Sequence, residues 1–536
     1  MVAVETPQES FRKLFTHPLL QGVVLVVLSF VLAVWVEVPN RFPDPDSFYH
    51  AGMAELASEG RFPSRFPWLE LTSLRDTYAD LHLVYHLLLV PFVKAFDPMP
   101  GIRIATITAF ALLAIAFFVL LRRLTVRGAF LFTLLLLGSS AFVFRLNLAK
   151  SQGFAFIVLF LGLITLHRRS RTGVFLAAVF AAWMSSHWPV YVVAVTTLAA
   201  CHVFATVLGE PGSWRTIRLS LMEGTRLLGS ALAGAAAGLV VHPYFPGILH
   251  VAKQQIWEIA LVGGVAEANV GIEWGALSLR EFARSVGFLF PLIALAAAGT
   301  LSTVIRLVRR SEVNARDAVA RVLTFGLLTT AFAVLTLRSR RHVEFFVPFA
   351  VLFAAVGIQP FISWLWPPRV QVGWRRPGGT RRAFSSIILV VAILGFTVGS
   401  YRAIRNQRQY FLDGFRGDHL RGAAMWVREH VPKGELVFHG DWDDFPFLFL
   451  WDREHRYLVG LDPRFAFWED HDRFRAWQMI GRGDATDASR RIVEEFGATY
   501  AVVANQQDKL QAVLGADQAA TIVYSDADAK VYALRH

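Results

Sequence analysis

The chain has 536 residues, is 54% hydrophobic and carries only 18% charged residues, whereas a soluble domain carries about 25% charge and 45–50% apolar residues. This composition excludes a disordered chain, a coiled coil and a disulfide scaffold, and the single Cys201 permits no internal disulfide. The net charge of +12 need not imply nucleic acid, because Arg-rich cytoplasmic loops are normal in polytopic membrane proteins.

The charge is unevenly spread. Residues 413–536 hold 21 acids and 15 bases, a net of −6, which leaves +18 on residues 1–412. A hydrophobic, basic body is thus followed by an acidic, water-soluble tail about the size of one domain. A crossing helix needs roughly 20 apolar residues. Apolar runs lie near 18–38, 81–96, 101–121, 128–145, 153–167, 173–187, 189–208, 225–245, 286–305, 318–337, 343–362 and 384–401. The first is too long for a signal-peptide core, and no small-residue cleavage site follows it, so it reads as a retained helix. The expected fold is a polytopic α-helical membrane protein of 11–13 transmembrane helices with a C-terminal soluble α/β domain.

Basic clusters at Arg122/Arg123/Arg127, Arg168/Arg169/Arg171, Arg215/Arg218/Arg226, Arg306/Arg309/Arg310 and Arg375/Arg376/Arg381/Arg382 are separated by pairs of apolar runs. Placing all five in the cytoplasm puts loops 39–80 and 246–285, and the tail, outside. That parity requires an odd number of crossings, so either 81–96 is interfacial or re-entrant or another run is miscounted.

The first outside loop opens with Pro43-Asp44-Pro45-Asp46-Ser47-Phe48-Tyr49-His50. Asp46 or Ser47 can cap a helix that runs to about Glu59 and ends at Gly60. Further on, Asp76, Asp80, His82 and His86 lead into the second apolar run. Together with Asp44 and Asp46 they are expected near one membrane face, where ionisable groups are functional suspects. A carboxylate shielded from water can serve as general base or hold a divalent ion. The alternative for the histidines is a polar face packed on a neighbouring helix. The next outside segment, Arg145 to Gly153, offers Arg145 and Lys150. Loop 246–285 contains Gly263-Gly264 and Glu273, and its length suggests a mobile flap. Trp257 and Trp274 read as membrane-interface anchors. Arg338, Arg340 and Arg341 depart from the positive-inside pattern. They either snorkel to the interface or form an anion site.

In the tail, helices are expected at 418–430, 470–480, 485–496 and 506–514, and strands at 435–439, 456–459, 500–503, 520–524 and 530–534. Asp441, Asp443, Asp444 and Asp462 fall at strand ends, the usual edge for a site in an α/β sheet, or serve as turn residues.

The order of first helix, Asp-Pro-Asp-Ser-Phe-Tyr-His loop, many spans and α/β tail resembles the GT-C superfamily of polyprenyl-phosphate-dependent glycosyltransferases. The Asp44–His50 run is most similar to oligosaccharyltransferase catalytic subunits. Trp442-Asp443, in Gly440-Asp-Trp-Asp-Asp-Phe-Pro446, is loosely similar to their Trp-Trp-Asp-Tyr-Gly acceptor motif. Residues 78–91 stand where protein O-mannosyltransferases carry His-Pro-Pro, which is absent here.

The resemblance implies transfer of a sugar from a polyprenyl-(pyro)phosphate donor to a protein, lipid or glycan acceptor on the outer face of a cell membrane, with the tail also outside. It makes Asp46 the catalytic or metal-contacting carboxylate, with Asp44 beside it. It assigns an Arg at the outer end of a late span, Arg341, Arg338 or Arg340, to the donor phosphate, and Glu273, Trp442 and Asp443 to the acceptor side; Arg145 and Lys150, where the family would carry an acid, suit the same anionic head group, and Asp80, His82 and His50 join the acceptor side by their position. Oligosaccharyltransferases complete a metal site with a second acid, but residues 145–153 contain none. A Mg2+ or Mn2+ held by Asp46 and a metal-free inverting mechanism therefore both stay open. The competing readings are a transporter or flippase and a non-catalytic envelope-assembly scaffold.

Overall fold

Every apolar run of the sequence contains helix in the computed structural model, which describes residues 17–262, 271–310, 313–365 and 379–535. Pro18 opens α1 (Pro18–Val36) at a first-turn position, where its missing N–H costs nothing. Leu19, Val23, Val27 and Val31 stay more than half exposed on α1, as a lipid-facing surface requires.

Among the described residues, five helices are long and apolar enough to cross a membrane, or up to seven if each bent pair is one span. One bent pair is α5 (Ala129–Leu137) with α6 (Ser140–Leu146), which meet at 72°. Three further apolar runs fall on helices of 10–17 residues, Leu83–Ala95, Gln152–His167 and Arg171–Met184. Trp214–Val240 has 27 residues, but its first half carries Arg215, Arg218, Glu223 and Arg226.

The second apolar run is the helix α3 (Leu83–Ala95). Its 13 residues span about 20 Å, short of a roughly 30 Å hydrocarbon core. This length favours the interfacial or re-entrant option. Between α1 and α3 lies α2 (Asp46–Ser58), and α4 (Pro98–Arg123) follows.

The two ends of the membrane body meet. Strand β1 (Arg41–Phe42) follows α1, and β2 (Phe415–Arg416) follows the last long helix, Gly379–Leu412. They pair antiparallel, with Arg41 opposite Arg416 and Phe42 opposite Phe415. The first loop and the tail therefore emerge on the same face, so that an even number of crossings separates them. At the opposite end, Arg169 joins Glu223 at 2.8 Å and Asp317 at 2.6 Å, and Arg127, Arg306 and Arg321 line one cavity.

The tail is an α/β unit on a four-stranded sheet in the order β3-β4-β6-β5. The strands are β3 (Val437–His439), β4 (Tyr500–Ala504), β5 (Ala520–Ser525) and β6 (Ala529–Leu534), with β3 and β4 parallel and the other pairs antiparallel. Residues 456–459 are not a sheet strand, contrary to the sequence reading. They form isolated bridges, Leu69 with Tyr457 and Leu436 with Arg456. Pro446 starts a helix the sequence reading missed, Phe445–Trp451.

Loop and tail share one core. Phe48 stacks edge-on against Phe447 at 4.5 Å, and Tyr49, Phe66 and Trp68 all meet Phe449. Gly52 makes this approach possible, because a Cβ there would lie 2.9 Å from the Phe449 ring. Arg453 of the tail donates to the Gly52 carbonyl at 3.1 Å and pairs with Glu55 at 2.8 Å.

Candidate functional site

A cavity of about 1020 Å³ opens between the first loop, the α5–α6 bend, the 271–285 segment, Arg340–Arg341 and the tail. Asp44, Asp46, His50, Asp80, His82, Arg145, Lys150, Glu273, Arg340, Arg341, Trp442 and Asp443 all line it. These residues span most of the chain in sequence, and the loop–tail core draws them together. Arg338 does not line the cavity, and neither does Asp76, which is exposed and paired with Arg75 at 3.0 Å.

The expected cap at Asp46 or Ser47 does not form; the cap position is Pro45. Asp44 Oδ1 instead accepts the Asp46 backbone N–H at 2.9 Å. That leaves Asp44 Oδ2 and Asp46 Oδ2 directed at one cation, the Lys150 ammonium, at 2.7 and 2.8 Å. Lys150 stands in the turn after the bent pair, and its side chain is 8% exposed. Burial alone would lower its pKa, but Asp44 and Asp46 outweigh it and hold Lys150 charged. Asp44 is raised, first by burial and then by the neighbouring acids, against the pull of Lys150. Asp46 has the more exposed side chain, 36% against 18%, so it is the carboxylate a substrate in the cavity reaches.

Arg145 is already paired. Its Nε donates to Glu344 at 3.0 Å and its Nη1 to Glu273. Glu344 sits with a fully buried side chain on the helix Val343–Gly357. Burial would raise Glu273, but Lys150, Arg145 and Arg341 together hold it well below the ordinary carboxylate range. Glu273 thus serves as a counter-ion to the arginines. Three guanidinium nitrogens of the cavity-lining arginines are buried without a hydrogen-bond partner: Arg145 Nη2, Arg340 Nε and Arg341 Nε. Buried donors of this kind demand an acceptor, and an oxyanion supplies several.

Behind the first-loop carboxylates runs a chain of imidazoles. His86 Nδ1 donates to Asp80 Oδ2 at 2.6 Å, and His86 Nε2 faces His50 Nδ1 at 2.8 Å. Asp80 Oδ1 accepts the His82 backbone N–H at 2.9 Å. Burial, reinforced by His86 and His82, pushes His50 well below its usual value. Burial also pushes His82 down to about 4. Tyr49 and Tyr78 share a 2.6 Å hydroxyl contact beside this chain.

The tail closes the cavity with Asp441, Trp442, Asp443 and Asp462. Burial, then Asp441, Asp46 and Asp44, push Asp443 up to about 8. Asp462 turns out to be a helix cap, accepting the Arg464 backbone N–H at 2.9 Å and pairing with its guanidinium at 2.6 Å. Trp274 is not a membrane-interface anchor, because its ring has the Arg341 and the Arg464 guanidinium each 4.9 Å from its centroid. Trp257 is exposed, consistent with a surface position. Gly263-Gly264 lies outside the described residues.

The donor set does not suit a divalent cation. Asp44 and Asp46 already hold an ammonium between them, Glu273 of the same cavity is bound to Arg145, and no group of three or more metal-binding side chains forms among the described residues. The sequence reading also passed over Glu344 and Arg464. A lone Glu in an otherwise apolar helix was the available signal for the first; Arg464 in a soluble tail gave none.

The fold has known counterparts. Archaeal oligosaccharyltransferase AglB from Archaeoglobus fulgidus, in complex with an inhibitory peptide and a dolichol-phosphate, superposes with a TM-score of 0.62 at 13% identity, over 96% of this chain and 74% of that one. ArnT from Cupriavidus metallidurans bound to undecaprenyl phosphate gives 0.52 at 13% identity, over 95% and 97%. Arabinofuranosyltransferase AftD from Mycobacteria gives 0.55 at 15% identity, over 96% and 41%. No protein-family model and no curated protein sequence matches the chain. By architecture, from the first loop to the α/β tail, the chain has the GT-C fold of these membrane glycosyltransferases.

Proposed function

We propose that the protein is an integral-membrane glycosyltransferase that moves a sugar from a polyprenyl-phosphate-type donor to an acceptor nucleophile, on the extracytoplasmic face of a cell membrane. The observation that carries this reading is the meeting, in one cavity, of an accessible first-loop carboxylate, Asp46, and the unpartnered donors of Arg145, Arg340 and Arg341. The lipid phosphates named with AglB and ArnT agree with it.

In this reading the arginines hold the donor phosphate and orient the sugar's anomeric carbon towards Asp46. Asp46 takes the proton from the acceptor as the acceptor's oxygen or nitrogen bonds to that carbon. The bond from the anomeric carbon to the phosphate oxygen breaks at the same time. The charge left on the lipid phosphate is stabilised by guanidinium N–H groups already fixed in a site of low dielectric, where preorganised donors count most. Tail residues Trp442 and Asp443 border the acceptor side.

The test is turnover by purified protein with a panel of defined polyprenyl-linked sugars, following loss of the lipid-linked sugar. Wild type should release sugar from at least one donor. Asp46→Asn should fold and bind lipid phosphate yet lose about 10²–10⁴-fold in kcat, the range for removing a general base. Full activity in Asp46→Asn, or no release from any donor, would refute the proposal.

A further inference from the structure

We infer that Lys150 is the built-in counter-ion of the first-loop carboxylates, occupying the place between Asp44 and Asp46 that a divalent metal would take, so that this site works without a metal ion. The inference deepens the transferase reading and rests on it for its purpose, but its test does not require turnover.

The geometry carries the argument. Nζ lies 2.7 Å from Asp44 Oδ2 and 2.8 Å from Asp46 Oδ2, so one ammonium bridges both carboxylates at hydrogen-bond distance. A hard divalent ion would need those same oxygens at about 2.0–2.6 Å. It would then stand a few ångströms from a fixed, largely buried positive charge that repels it. Two further acids of the cavity add little compensation. Glu273 is bound to Arg145 and faces Arg341 at 3.7 Å. Asp443 is half-buried, with its pKa raised to about 8, and therefore brings little charge at neutral pH.

Lys150 is also locked in place. Its side chain is almost wholly buried, in the turn that follows the bent pair α5–α6. An ammonium has three donors. Two go to the acids, and the third is left for an oxygen of the substrate. One Asp46 oxygen is pinned by Lys150, which leaves the other for the acceptor. Lys150 is thus a positioning residue for the base and supplies the local charge that a metal would otherwise bring.

The experiment is Mn2+ titration of the full-length protein in detergent, read by the electron paramagnetic resonance signal of free Mn2+, for wild type, Lys150→Ala, Lys150→Gln and Lys150→Ala/Asp46→Asn. Wild type should bind no Mn2+ that depends on Asp46. Lys150→Ala should gain one site, and the added Asp46→Asn should abolish it. Should Lys150→Ala not fold, Lys150→Gln serves instead: its melting temperature should rise with Mn2+ while that of wild type stays flat. One Asp46-dependent Mn2+ per wild-type chain would overturn the inference, as would folded Lys150 variants that gain neither a site nor a Mn2+-dependent shift. Loss of the transferase reading alone would leave these binding results intact, so the two failures are distinguishable.

Discussion

Asp80 and His86 lie 2.6 Å apart with side chains 3% and 1% exposed, a carboxylate and an imidazole joined out of reach of water. Burial works against the charged form of Asp80, and the histidines reverse it, holding Asp80 below the usual carboxylate range. His86→Ala would strand that charge. We expect a loss of about 3 kcal/mol or more, the cost of breaking one side of a buried pair. Asp80→Asn, which removes the charge itself, should cost less. Thermal unfolding of both variants decides the order; an equal or smaller loss for His86→Ala would show that Asp80 is not held as an ion.

Stability should fall on both sides of an intermediate pH, for separate reasons. His82 is neutral in the fold down to about 4, while an unfolded His takes up its proton near 6.5. The unfolded state binds more protons in that interval, so stability drops as pH falls from about 6.5 towards 4. Asp443 acts in the opposite sense. It keeps its proton up to about 8 in the fold, whereas an unfolded Asp releases it near 3.9. Stability from this group therefore declines as pH rises between those values. Asp443→Asn should raise the melting temperature more at pH 8 than at pH 5, and His82→Gln should flatten the acid side. Parallel melting curves for Asp443→Asn and wild type across that range would contradict the assignment.

Arg145 neutralises two carboxylates at once, Glu344 with no exposed side-chain area and Glu273. Arg145→Met should destabilise the protein by about 3–5 kcal/mol. The double variant Arg145→Met/Glu344→Gln should recover much of this, since the stranded charge is then gone. Denaturant unfolding of the four-member cycle measures the coupling; strictly additive losses would mean the two side chains do not share their charge.

Trp274→Ala should loosen the contact between membrane body and tail without unfolding either. Each guanidinium over the ring is worth about 0.5–2 kcal/mol, and here two are lost together. Limited proteolysis should cut faster near residues 271–277 in the variant, and Trp274→Phe should fall between it and wild type. Unchanged cleavage would mean the ring bears no part of the contact.

Much of this was legible in the sequence, because apolar length and turn residues act locally. The Asp44–His50 run, the helix stop at Gly60 and the strands expected at 500–503 and 530–534, each one residue longer in the structure, follow from local pattern. What the sequence hid was pairing at a distance. Arg145 and Lys150 read as free cations suited to an anionic ligand, since nothing in residues 145–153 reveals that Asp44, Asp46, Glu273 and Glu344 already claim them. Trp274 read as a lipid anchor because an aromatic near a span usually is one; only the tertiary fold brings Arg341 and Arg464 over its ring. The missed helix at 445–451 has six buried residues, and a run apolar on every side carries no periodicity to mark it.

The pairing of β1 with β2 also has a consequence in time. Arg41 donates to the Gly414 carbonyl across 373 positions of sequence. At about 5–20 residues per second, the segment around Phe42 and Phe48 waits roughly 20–75 s after its own synthesis before its mate exists. Until then its aromatic face is bare and invites wrong associations. Ribosomes stalled short of residue 413 should therefore expose that segment to chaperones, and release of the remaining chain should withdraw it. Biogenesis ends, rather than begins, with the assembly of the cavity.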